Sequence, residues 1–182
     1  MSYLQEHHAY FFSLEDFSVG SNLDPIEHRF NGEIIKEKLE KALEDTRNRK
    51  YKEYPSRLKC TFVAPTEESA NEWCKSVKSQ LWASQGCYLE YYIYEVVGTS
   101  AFYWFNSDVL MHAYWADNKD VDKVSEEYWS SYSNNRLCSS TFDIEGLTDK
   151  SLRIVDKKKM CLDRNRIYKV MYEQEFNSHP WP

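Results

Sequence analysis

Three separated pieces of this 182-residue chain carry residue types able to do chemistry: Tyr10-Phe11-Phe12-Ser13 with Asp16, Phe17 and Gly20 behind it, the run PSRLKCTFVAPTEESANEW from Pro55, and EEYWSSY from Glu126. Arg57 is the most attractive cation. It follows Pro55-Ser56 at the mouth of an expected strand, where a fixed guanidinium can engage a pyrophosphate through two parallel hydrogen bonds; an ordinary ion pair is the plain alternative. The familiar catalytic motifs are absent: no GxxxxGKS or GxxxxGKT, no GxGxxG after a strand, no GxSxG and no HExxH. His7 and His8 are adjacent, so on a strand they point to opposite faces, which argues against a metal pair. Cys60, Cys74, Cys87, Cys138 and Cys161 lie far apart with no zinc-type spacing, and an odd, scattered set reads as reduced thiols of a cytosolic protein.

The elements that must position these residues are read from composition and period. Apolar residues make up 42% and charged residues 29%, as in a soluble globular chain, while aromatics reach 16%, which suits a sheet-rich core or a stacking surface. The length fits one domain, residues 1–182, and the formal charge of −6 argues against broad neutralisation of nucleic-acid phosphates. No run approaches the apolar length needed to span a bilayer, and the N-terminus lacks a basic start followed by an apolar stretch, so the expectation is a cytoplasmic chain without membrane partners.

Residues 10–14 read as a first strand, with a turn through Gly20, Asn22 and Pro25. Ile35, Leu39, Ala42 and Leu43 recur at helical spacing in residues 33–49, with Lys and Glu on the remaining positions. Pro55 interrupts, 58–65 reads as a buried strand, and Thr66 caps a helix to about Leu81. Residues 88–97 form a central strand, 107–115 a short helix and 120–132 a further helix. Strands are expected over 136–145, 151–156 and 166–176, with GLTDK and the charged KKKMCLDRN segment as joins. Helices early and strands late point to an α+β fold with a split antiparallel or mixed β-sheet core and flanking helices.

The first piece resembles the opening motif of small bacterial ADP-ribosyltransferase-like proteins, the rifamycin-modifying enzymes among them, which begin with Tyr-His-Gly-Thr on a strand and carry a hydrophobic residue and Gly at this spacing. The second and third pieces resemble a bacterial branch of that superfamily with a Pro-Ser-Arg-Leu turn and a later Tyr-Trp pair; the likeness covers residues 8–132. It implies a domain that takes NAD into a cleft between two small sheets and transfers ADP-ribose to a macromolecule, with protein ahead of nucleic acid as the target. By position, Tyr10 would sit near nicotinamide, Phe11 replaces the histidine that hydrogen-bonds the adenosine ribose, and Ser13 matches a small hydroxyl residue. Phe11 cannot make that bond, a loss on the order of 1 kcal/mol. His8, two residues before Tyr10, faces the same side of the strand and can reach the same cleft.

Breaking the bond between ribose and nicotinamide builds oxocarbenium character that one carboxylate can stabilise. The candidates are Glu126 and Glu127 beside Tyr128-Trp129, and Glu145; for each the plainer reading is a solvated acid on a surface helix or strand end. Arg57 joins the cofactor cleft, with Trp129 beside it. Tyr88, Tyr91, Tyr92 and Tyr94 offer either a ring pocket or a packed core, and Lys157–Lys159 with Arg153, Arg164 and Arg166 either a local basic patch or a solvated turn. The rival reading is a phage or mobile-element binding protein that keeps the fold, has lost the reaction and acts by contact; Phe11 favours it.

Overall fold

In the computed structural model, residues 5–27, 34–75, 88–110, 120–132 and 144–163 are described. Helix α1 (Ile34–Lys50) forms where the 3.6-residue period places Leu39, Ala42, Leu43 and Thr46 on a buried face, and Arg47, Arg49 and Lys50 suit the negative end of its dipole. A 3₁₀ turn (Arg57–Lys59) then leads into a short strand. A second helix, α2, occupies residues 67–75 of the described chain, and Thr66 caps it by accepting from the Ser69 amide at 3.1 Å. Helix α3 (Val121–Ser130) is capped by Asp120, whose carboxylate accepts from the amides of Asp122 and Lys123.

The strands are β1 (His7–Ser13), β2 (Asn22–Leu23), β3 (Thr61–Val63), β4 (Tyr88–Gly98), β5 (Tyr103–Asn106), β6 (Ile144–Thr148) and β7 (Leu152–Asp163). They build two antiparallel sheets, a four-stranded one in the order β1-β4-β7-β2 and a three-stranded one in the order β3-β6-β5. Tyr10 and Ala64 exchange backbone hydrogen bonds of 2.9 and 2.7 Å, so β1 and the end of β3 tie the sheets together.

Side-chain parity explains the layering. Ala9, Tyr94, Val96, Leu152 and Ile154 of the larger sheet pack against Val63, Trp104 and Ile144 of the smaller one. On the other face of the larger sheet, Tyr91 and Ile93 meet Ala70 and Cys74 of α2. On the other face of the smaller sheet, Phe105 and Leu147 meet Leu39 and Leu43 of α1 and Val124, Tyr128 and Trp129 of α3. The order is α1 and α3, small sheet, large sheet, α2: a mixed α+β fold with antiparallel sheets.

Several boundaries differ from the sequence reading. The first strand begins at His7, because all of His7–Ser13 pairs with β4. The expected strand at 58–65 shrinks to β3, because Ser56 caps the 3₁₀ turn by accepting from the Leu58 amide at 3.2 Å. The expected join at Lys157–Lys159 is the middle of β7, where the three lysines lie opposite Tyr94, Ile93 and Tyr92 and reach carboxylates of Asp16, Glu67 and Glu90. The pairing skips Val155, a bulge that turns Leu152 and Ile154 into the shared core while Lys157 stays on the side of Tyr92, its ammonium 5.5 Å from that ring. Of the expected tyrosine pocket, Tyr91 and Tyr94 are fully buried on opposite faces of β4 in two different cores. Residues 76–81, 111–115, 136–143 and the expected strand 166–176 lie outside the described residues.

Candidate functional site

Helix α1 carries a ladder of polar side chains one turn apart that pins the segment before β3. Arg47 Nη1 donates to the Tyr54 carbonyl at 3.2 Å, Ser56 Oγ donates to Glu44 Oε2 at 2.9 Å, and Glu40 receives Arg57. Positions 40, 44 and 47 share a helical face, so a single helix fixes three successive points of the Tyr54–Arg57 turn. Burial alone would raise the Glu44 carboxyl, but bonds from Arg47 and Ser56 outweigh it and hold this acid below its ordinary range.

Arg57 stands at the centre of a buried network. Its Nε and Nη2 donate to Glu40 Oε2 and Oε1, both at 3.1 Å, the fork-to-fork geometry of a bidentate pair. Its Nη1 donates to the Tyr128 hydroxyl at 2.8 Å and to Glu145 Oε1, to which the Tyr128 hydroxyl also donates. The guanidinium carbon lies 4.8 Å from the Phe62 ring centre and 4.9 Å from that of Tyr128. The side chains of Arg57, Glu40 and Glu145 are 7%, 2% and 7% exposed, so their charges depend on one another instead of on water. Burial pushes the Tyr128 hydroxyl well above the ordinary tyrosine value despite the opposing charge of Arg57, which keeps it a proton donor toward Glu145. The neighbouring Cys60 thiol is pushed up to about 12, again by burial first, and remains a neutral thiol.

The structure brings together Arg57 and Glu145 of the residues singled out from sequence, with Trp129 packed against Tyr128 of their network. Trp129 is fully buried, donates from Nε1 to the Leu43 carbonyl at 2.9 Å, and crosses Tyr128 edge to face at 4.9 Å. Glu126 and Glu127 sit on the exposed side of α3, where Glu126 pairs with Lys50. The four β1 residues belong to the other sheet. His8 Nδ1 lies 2.7 Å from Glu95 Oε1, Tyr10 packs toward α2, and Phe11 packs toward the small sheet, 6.3 Å from Tyr94. Ser13 Oγ accepts from the Glu15 amide at 3.0 Å. The Tyr94 hydroxyl holds the segment after β1 by donating to the Glu15 carbonyl at 2.7 Å and accepting from the Phe17 amide at 2.9 Å. The residues grouped by sequence as one cofactor cleft therefore occupy both faces of the large sheet and the helix side of the small one.

Glu40 and Tyr128 are the members that sequence reasoning missed. Glu40 is one of the Lys and Glu positions left over from the apolar period of α1, yet it stands between Leu39 and Leu43 on the buried side. A carboxylate flanked in this way signals a cation elsewhere in the chain.

No cluster of three metal-capable side chains occurs among the described residues, and none of their helices is long and apolar enough to cross a membrane. Fold and site together define a two-sheet α+β protein built around a buried arginine held between two glutamates and a tyrosine. Over residues 2–157 the chain matches the family described as "Protein of unknown function (DUF2441)", and it belongs to that family. No curated protein matches it.

Proposed function

We propose that this protein transfers ADP-ribose from NAD to a macromolecular target, a protein ahead of a nucleic acid. The observation that carries the reading is the fixed carboxylate of Glu145. Of the three acids considered from sequence, it is the one held on a strand by two donors, Arg57 and Tyr128. In the transfer, the bond between ribose C1′ and nicotinamide breaks and its electron pair leaves with nicotinamide. The sugar carries oxocarbenium character until an N–H, O–H or S–H group of the target attacks C1′ and gives its proton to solvent. A carboxylate beside the ribose stabilises that cation, and Glu145 takes this role. Arg57 and Tyr128 act through it as positioning residues. The donors of Arg57 are engaged by Glu40, Tyr128 and Glu145, so it orients the acid instead of gripping the pyrophosphate.

The burial of the same network favours a second reading, a binding protein that keeps the fold and acts by contact, with Arg57 as an internal brace. Incubation of the purified chain with labelled NAD and a lysate separates the two. Transfer of label to a macromolecule, abolished in Glu145→Gln and retained in Glu126→Ala and Glu127→Ala, supports the transferase. Absence of both transfer and nicotinamide release, with no NAD binding by calorimetry, leaves the binding protein.

A further inference from the structure

Tyr54, Tyr103 and Tyr132 line a groove of about 530 Å³ whose rim carries exposed Lys52 and Glu53 and an exposed ion pair in which Lys150 Nζ lies 3.3 Å from Asp149 Oδ1. That volume falls within the range of small-molecule sites, on the order of 300–1,000 Å³. The three rings are half-buried and touch one another, with centres 4.9 Å apart for Tyr54 and Tyr132, 5.7 Å for Tyr54 and Tyr103 and 5.9 Å for Tyr103 and Tyr132. They are also braced from below. Tyr54 stacks at 6.0 Å and 17° on buried Trp129, and its carbonyl accepts from Arg47. The Ser131 hydroxyl, at the end of α3 just before Tyr132, accepts from the Asn106 amide at 2.9 Å and so ties that end to β5. A rigid aromatic wall binds a flat ring without ordering the side chains first.

The rim is mixed in sign, and this selects among flat ligands. A purely anionic ring would be repelled by Glu53 and Asp149, and a cationic one by Lys52 and Lys150. A nucleotide has a part for each element: a neutral base for the tyrosine rings, a diol whose hydroxyls donate to carboxylates, and a phosphate for the lysines. We propose that this groove binds a nucleotide, its base against Tyr54 and Tyr132, its ribose hydroxyls toward Glu53 and Asp149 and its phosphate toward Lys52 and Lys150, the ligand taking the place of the weak exposed pair between Asp149 and Lys150. The chemistry is the same for a free mononucleotide and for the end of a single strand. Neither Glu145, Arg57 nor Tyr128 lines the groove, so the inference stands apart from the transfer reading.

The test is a titration of the purified chain with AMP, a short single-stranded oligonucleotide, adenosine and inorganic phosphate, read by intrinsic fluorescence because Trp129 underlies Tyr54. A saturable change with Kd of about 1 mM or tighter is expected for a phosphate-bearing ligand. AMP saturating the signal identifies the free nucleotide; a response to the oligonucleotide alone identifies a strand end. Tyr132→Ala should weaken binding about tenfold, and Lys52→Glu about tenfold with a shallower salt dependence. Lys52 is exposed, so its variant carries the test if Tyr132→Ala does not fold. Glu126→Ala, at an exposed position outside the groove, should leave the titration unchanged. No saturable change, adenosine binding as tightly as AMP, or binding that neither groove variant weakens would overturn the proposal.

Discussion

Replacing Arg57 with Met keeps a long side chain between Phe62 and Tyr128 and removes the charge that two buried carboxylates share. Four hydrogen bonds vanish, two to Glu40 and one each to Tyr128 and Glu145. Bonds to charged groups are worth about 1.5–3 kcal/mol each, so the gross loss is about 6–12 kcal/mol. Much of that is offset, because the guanidinium no longer has to leave water on folding, at a cost of several kcal/mol per ion. What remains is the burial of Glu40 and Glu145 without their cation, and the expected net destabilisation is about 3–5 kcal/mol. For a domain of this size each kcal/mol moves Tm by about 2–4 °C, so Tm should fall by about 6–20 °C. Urea unfolding followed by tryptophan fluorescence and circular dichroism measures the loss. The triple variant Arg57→Met, Glu40→Leu, Glu145→Leu should recover a large part of it, because the charges then leave together. A single-variant loss below about 1 kcal/mol, or a triple variant that simply adds three penalties, would refute the buried-network argument.

Gly146→Ala should destabilise by about 1–3 kcal/mol, because the new methyl would lie 2.6 Å from Trp104 Cζ3 and 2.8 Å from Val63 Cγ2; equilibrium denaturation measures it, and a Trp104→Leu background should shrink the penalty. Glu44 titrates below its ordinary value in the folded chain, so its contribution is present above the unfolded carboxylate pKa and is lost as pH falls through the lower folded one. Stability of the wild type should therefore drop more steeply than that of Glu44→Gln below about pH 4.3; superimposable acid profiles in urea titrations would remove Glu44 as a pin of the Ser56 turn.

The parts of this fold that are legible in sequence are those whose partners are near in the chain or whose period is long. Helix α1 is readable because Leu39, Ala42 and Leu43 repeat at 3.6 residues, and β4 because Tyr91, Ile93 and Val96 give it strand composition. Arg57 is readable as special from Pro55-Ser56 before it, but the groups that define its role lie 17, 71 and 88 residues away, and no local rule connects them. The lysine run mimics a solvated turn because the carboxylates that face it come from β4, α2 and the segment after β1.

One local feature holds the site in register, the Glu145-Gly146 pair itself. On β6 these neighbours point to opposite faces, and the register sets Glu145 opposite Phe105 and Gly146 opposite Trp104 and Val63. Only a residue without a side chain fits beneath Trp104, where any Cβ would fall under 3 Å from the ring and from Val63. A slip by one residue would drive the Glu145 carboxylate into the apolar layer between the sheets and leave Arg57 without it on the helix side. The glycine thus fixes the face of its neighbour, and the carboxylate reaches Arg57 and Tyr128 because Gly146 can occupy the other side.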